Sequence, residues 1–225
     1  MVWRFLKLKE TEYLDDFEVD LHDVMLHYMR REAISTQLRQ LLRNSAKKEY
    51  VELALGVSDP HANYSANEHQ LGPMILENNS INEIFLLAQK LAAADLIVTN
   101  LPKTIYQAKL SYLKIGVGSE IAALLQPNRF WIGNTRTIWS HLVIKHKGDW
   151  ERANEELKLY RFDDPTSEMA YKIWKEIYLS MEPSLEIISR ISMIWAEEQN
   201  VTPGKQKYIW LDALCNALYE GNMNS

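Results

Sequence analysis

Apolar residues recur at three- and four-residue spacing along most of the chain. Leu21, Val24, Met25, Tyr28, Met29, Ile34, Leu38, Leu41 and Leu42 fall on one helical face, and Asp20 stands before them as a suitable N-cap. Residues 56–80 carry Gly56, Pro60, Gly72 and Pro73 among Asn, Ser and His, the pattern of a long loop with at most one short turn. The spacing predicts a second helix over 81–98, opened by Ser80 with Glu83 at the capping-box position. Asn100-Leu101-Pro102 breaks it. Helical periodicity resumes over 103–113, then over 119–126 after Gly116 and Gly118, then over 134–145 and 150–160. Pro165, Pro183 and Pro203 divide the remainder into three more helical stretches. Only Val2–Leu8 alternates as a short strand would, and no repeat period or regular series of strand-forming runs is visible. The expected fold class is all-α: a helical globule formed as a single domain over 1–225. Two lobes around a cleft are a variant of it, one made of 1–100 with the C-terminal helices and one a central hairpin lobe over 101–160.

Composition narrows the class without naming a function. Apolar residues are 47% of the 225 and charged residues 24%, the ordinary globular mixture, which excludes a disordered tail or a collagen-like chain. The longest apolar run, Ile84–Ala94, is broken by Gln89 and Lys90, so no membrane span is expected. The N-terminal residues lack a signal-peptide pattern, and Cys215 is the only cysteine, so a cytoplasmic chain without an internal disulfide or cysteine-based zinc site is expected. HExxH, the P-loop and G-x-S-x-G are missing, no cofactor is implied, and the scattered histidines (His22 and His27; His61 and His69 with Glu68) do not make a metal motif.

Charge is unevenly distributed. The formal net charge is −5, yet residues 101–147 carry Lys103, Lys109, Lys114, Arg129, Arg136, Lys145 and Lys147 against the single acid Glu120. That block stands at +6 between flanks of −5 and −6. An anionic partner, nucleic acid above all, is one reason to keep such an island, and pairing with the acidic flanks is the other. Within it, Gly116-Val117-Gly118-Ser119 separates two amphipathic pieces. Glycines there would let backbone N–H groups face a phosphate, with the following helix adding its dipole. This pattern resembles the helix-hairpin-helix element of DNA repair glycosylases.

A second stretch extends the likeness. Pro102-Lys103-Thr104-Ile105-Tyr106-Gln107-Ala108-Lys109 resembles the lysine-bearing helix start of the archaeal 8-oxoguanine DNA glycosylases, in the helix-hairpin-helix glycosylase superfamily. Phe130-Trp131-Ile132-Gly133-Asn134-Thr135-Arg136 resembles that family's apolar-x-apolar-Asp-x-Arg element, 31 residues beyond Lys103. The likeness covers about 102–140, and it leaves the hairpin turn either near 102 or at 116–118. It implies base excision from DNA, with Lys103 as the amine that attacks the sugar and a carboxylate beside it. The carboxylate position holds Asn134, so the resemblance implies either that Glu120 or Asp149 substitutes or that catalysis is degenerate. Under this reading Lys109, Lys114, Gly116, Gly118, Ser119, Arg129 and Arg136 would contact nucleic acid, and Trp131 and Trp139 would stack on a base. The alternatives are a non-enzymatic α-helical interaction module, self-associating as a homodimer or higher homo-oligomer, and a small-molecule enzyme of no identifiable type.

Overall fold

The computed structural model describes residues 13–14, 19–160 and 168–223. Among them helix is the only regular structure, in twelve α-helices: α1 (Leu21–Arg43), α2 (Lys47–Ala54), α3 (Tyr64–Glu68), α4 (Leu71–Asn78), α5 (Ile81–Leu91), α6 (Leu101–Gln107), α7 (Ile115–Leu125), α8 (Thr135–Lys145), α9 (Trp150–Leu157), α10 (Glu168–Ser180), α11 (Glu182–Glu198) and α12 (Lys207–Met223). The all-α expectation is met. The strand expected over Val2–Leu8 lies outside the described residues, and no described helix is long and apolar enough to cross a membrane.

The arrangement is built around α7. Every residue of this helix except Gly116 is buried, because apart from Ser119 and Glu120 it is apolar and is stable only when surrounded. Helices α1, α3, α5, α6 and α12 pack on it. Helix α1 also contacts α2 and α12, while α8 lies against α12, α9 and α11, and α10 rests on α6. The buried apolar side chains form one continuous cluster running from Leu14 to Leu218.

Local chemistry sets several boundaries. Ser80 and Glu83 form the expected capping box of α5, and Asn134 with Thr137 forms another at the start of α8. Asp20 caps α1. The Gln199 side chain clasps the same end of α1, accepting from Leu21 N at 2.9 Å and donating to Val19 O at 2.8 Å.

Other expectations need correction. The segment 56–80 is not a loop: it contains α3 and α4. The helix expected over 81–98 ends at Leu91, and the one expected over 103–113 spans 101–107. The two glycines do not form a turn between helices. Gly116 and Gly118 lie in the first turns of α7, and neither has positive φ; Lys109 and Tyr112 in the preceding connection take the left-handed conformation instead. Gly118 is there for packing. A Cβ on it would stand 2.8 Å from Ile105 of α6, so the missing side chain is what lets α6 and α7 approach.

This contrast is testable by urea unfolding. Gly118→Val is expected to lower stability by about 1–3 kcal/mol through overpacking against Ile105. Gly116→Ala, whose Cβ would meet Ser65 at an ordinary 3.6 Å, should be close to neutral.

Candidate anion-binding site

The striped face of α1 carries one residue that does not belong in an apolar core. Leu21, Val24, Tyr28, Arg31, Ile34, Ser35 and Leu38 are its buried positions, and Arg31 is fully buried. Its Nη2 donates to Glu120 Oε1 at 2.5 Å, and Nη1 donates to the carbonyls of His61 at 2.9 Å and Ala62 at 2.8 Å. Its Nε lies 3.7 Å from Asp212 Oδ2. Glu120 comes from α7 and Asp212 from α12, each likewise set among apolar neighbours and each almost inaccessible to water.

Glu120 does more than neutralise Arg31. Its Oε1 accepts from the backbone N–H of Tyr64 at 2.8 Å, and its Oε2 accepts from the N–H and hydroxyl of Ser65 at 3.0 and 2.7 Å. The carboxylate thus caps the first turn of α3, where a negative charge also meets the favourable end of the peptide dipoles. The fully buried Asn63 completes the cap, accepting from Ala66 N and donating to Ala54 O. A five-residue helix has little stability of its own. Buried charges from α1 and α7 hold this one.

Clamped in this way, α3 brings Tyr64 into the middle of a group of nitrogen-rich side chains. The Arg31 and Arg136 guanidinium carbons lie 5.1 and 5.7 Å from its ring centroid. The His27 ring stacks on it at 5.1 Å, and His61 packs at 6.0 Å with Nδ1 3.3 Å from the Tyr64 hydroxyl. Among the described residues, five buried side-chain polar atoms have no hydrogen-bond partner. Two of the five, His27 Nε2 and Arg136 Nε, have no acceptor here, whereas Arg31 Nε lies against Asp212 Oδ2 at 3.7 Å. Buried polar atoms are ordinarily paired, which makes these two exceptions. Glu68 Oε2 lies 3.3 Å from Arg136 Nη1.

The electrostatics fit this reading. Burial, reinforced by the charges of Arg31, Arg136 and Arg30, holds His27 down at about 3, so its ring is neutral at physiological pH. Burial pushes Asp212 up to about 6, with the Arg31 charge opposing part of that rise. Tyr64 is raised by burial against the opposing pull of Arg31.

The residues singled out from the sequence are not brought together. Lys103 is exposed on α6 and lines a surface depression of about 410 Å³ with Lys90, Asp95, Asn100, Thr104 and Gln107. Asn134 is buried; its carboxamide accepts from Thr137 N and donates to Asp212 Oδ1 at 3.1 Å, so it is occupied as a cap. Glu120 is engaged with Arg31 and α3, and Asp149 is the exposed cap of α9. Neither carboxylate contacts Lys103. Ser119 is buried and its hydroxyl accepts from Gly133 N, so it offers no phosphate contact. Trp131 and Trp139 are core side chains whose indole N–H groups donate to Tyr178 O and Asn154 Oδ1, which removes them as base-stacking surfaces.

The cationic island is divided in the same way. Arg129 donates to Ala94 O, while Lys145 and His146 pair with Glu156, an acid of the C-terminal flank. Lys109 and Lys114 are exposed on the α6–α7 connection, and Lys114 has a partner of its own. Of the whole island only Arg136 reaches the Tyr64 cluster. No group of three or more His, Cys, Asp or Glu among the described residues is placed to hold a metal ion.

Sequence reasoning missed Arg31, Tyr64 and Asp212, and considered His27, His61 and Glu68 only as metal ligands. The signal was present: Arg31, Glu120 and Asp212 each interrupt an apolar stripe at a core position, and two acids with one base so placed must meet.

The pH dependence of folding tests this geometry. Between pH 6.5 and about 3, unfolded His27 is protonated and folded His27 is not, so its contribution to stability is lost as pH falls. Asp212 acts oppositely. From about 6 down to its ordinary 3.8 the folded carboxyl holds a proton that the unfolded chain has released, so falling pH stabilises the fold through it. Asp212→Asn removes the opposing contribution. Urea unfolding across pH 6 to 4 should show the variant losing stability with falling pH more steeply than the wild type, by up to about 1.4 kcal/mol per pH unit.

Comparison with known protein families, with characterised proteins and with solved structures finds no match for this chain.

Proposed function

We propose that this protein binds nucleic acid through its phosphates, at the Tyr64 cluster, and does not excise bases. The observation that carries the reading is the pair of buried nitrogens without acceptors, from His27 and Arg136, beside the Tyr64 ring. Guanidinium N–H groups are suited to phosphate oxygens, and a buried guanidinium edge gains most from an ionised acceptor. Base excision does not fit, because Asn134 is committed to Thr137 and Asp212, and neither Glu120 nor Asp149, the acids expected to replace it, contacts Lys103. With a net charge of −5, the whole molecule does not attract polyanions, so affinity has to come from local donors.

Fluorescence anisotropy with labelled single-stranded and duplex DNA tests this. Affinity should fall steeply with salt, and Arg136→Gln should weaken binding and reduce the salt slope by about 0.7–0.9, the loss of one phosphate contact. Binding that is undetectable at low salt, or unchanged by Arg136→Gln, would remove the proposal.

A further inference from the structure

We infer that two copies of this chain associate through α1, packed antiparallel about a two-fold axis at Ala33. The inference is independent of the nucleic-acid reading, because it concerns the side of α1 opposite Arg31.

The inward stripe of this 23-residue helix is filled by the core. Its outward stripe is made of Leu26, Met29, Ala33, Thr36, Gln37 and Gln40, all exposed. Helical geometry sets these six within about 100° of arc. None of them is charged, although a solvated face ordinarily carries charged residues. Leu26 and Met29 are 57% and 56% exposed and stand one turn apart. Arg30 and Glu32 border the stripe as a polar rim.

This stripe has a bulky end and a hollow end. Leu26 stands toward the N-terminus. A shallow depression of about 480 Å³ runs beside Met29, Ala33, Thr36 and Gln40, and its lining includes Gln206. Under a two-fold axis each copy brings its Leu26 to the other's depression, so one surface serves as both partners of the contact. The register follows from the spacing. Leu26 and Gln40 are each seven residues from Ala33, so an axis at Ala33 sets Leu26 of one copy opposite Gln40 of the other. The smallest side chain of the stripe then lies where the two helices approach most closely.

Charge selects the antiparallel arrangement. Asp20 and Asp23 stand at the N-terminal end of α1, and Arg39 and Arg43 at its C-terminal end. Among the described residues, Asp23, Arg39 and Arg43 have no ion-pair partner. Parallel packing would set acid beside acid and base beside base, with the helix dipoles aligned. Antiparallel packing sets each acidic end beside the other copy's basic end and opposes the dipoles.

Sedimentation equilibrium of the full chain tests the association. One helix per copy makes a small interface, so the dimer should dissociate at about 10–100 μM. Leu26→Glu should weaken association at least about tenfold, because the contact would bury an unpaired charge. It should leave the melting temperature unchanged, since the side chain is exposed in the single chain. Leu86→Glu, at an equally exposed position on α5, should change neither. Orientation is read with a short bismaleimide cross-linker, to which the buried Cys215 is closed. Ala33→Cys should link to itself. Leu26→Cys and Gln40→Cys proteins should link when mixed and not when alone, because two copies of residue 26 stand about 21 Å apart in this register. A chain that stays monomeric at about 200 μM, or a dimer that survives Leu26→Glu, overturns the inference and leaves this face to another partner. Self-linking by Leu26→Cys without a mixed product shows a parallel pair and overturns it as well.

Discussion

The structure depends on one buried guanidinium. Arg31 sits where an apolar residue would be expected, and moving its charge out of water carries a penalty of several kcal/mol that only well-placed partners can offset. Those partners come from three distant parts of the chain: Glu120 of α7, Asp212 of α12 and the carbonyls of residues 61 and 62. Satisfying this one side chain therefore fixes how α1, α7 and α12 meet and where the segment ahead of α3 must run. Removing Arg31 leaves two buried acids without their base. The interaction's value is in specifying one arrangement, since a well-packed apolar set could be as stable.

The same centre explains which parts of the fold were legible in the sequence. Helices α1, α5, α8 and α9 follow from periodicity and from caps that act within a few residues, such as Ser80 with Glu83 and Asp149 with Arg152. Helix α3 could not be read, because its N-terminal turn is completed by Glu120, 55 and 56 residues away in sequence. The Gly116-Val117-Gly118 pattern was misread for a related reason. Glycine suits a turn and also suits close packing, and here Ile105, which no local pattern points to, decides for packing. The strongest residues of the candidate site were hidden in plain view, as charges on apolar stripes.

The cationic island had two readings from sequence, and the folded chain distributes its members between them. Lys145 and His146 both contact the Glu156 carboxylate and brace α8 against α9, so that end of the island is structural. Arg129 is bound to a carbonyl between α5 and α6. Arg136 has a different position: its guanidinium adjoins Tyr64, and its Nε has no acceptor. A run of like charge in sequence is thus not one surface in space. The α7 segment that runs through the island is buried, and along the chain it lies between Lys103 of α6 and Arg136 of α8.

The link between Asn134 and Asp212 carries a consequence for what position 134 can hold. A carboxylate at 134 would stand about 3 Å from that of Asp212, in a core where Glu120 and Asp212 already outnumber Arg31. An aspartate at 134 would therefore have to share a proton with Asp212, or be accompanied by loss of the acid at 212 or by a second buried base.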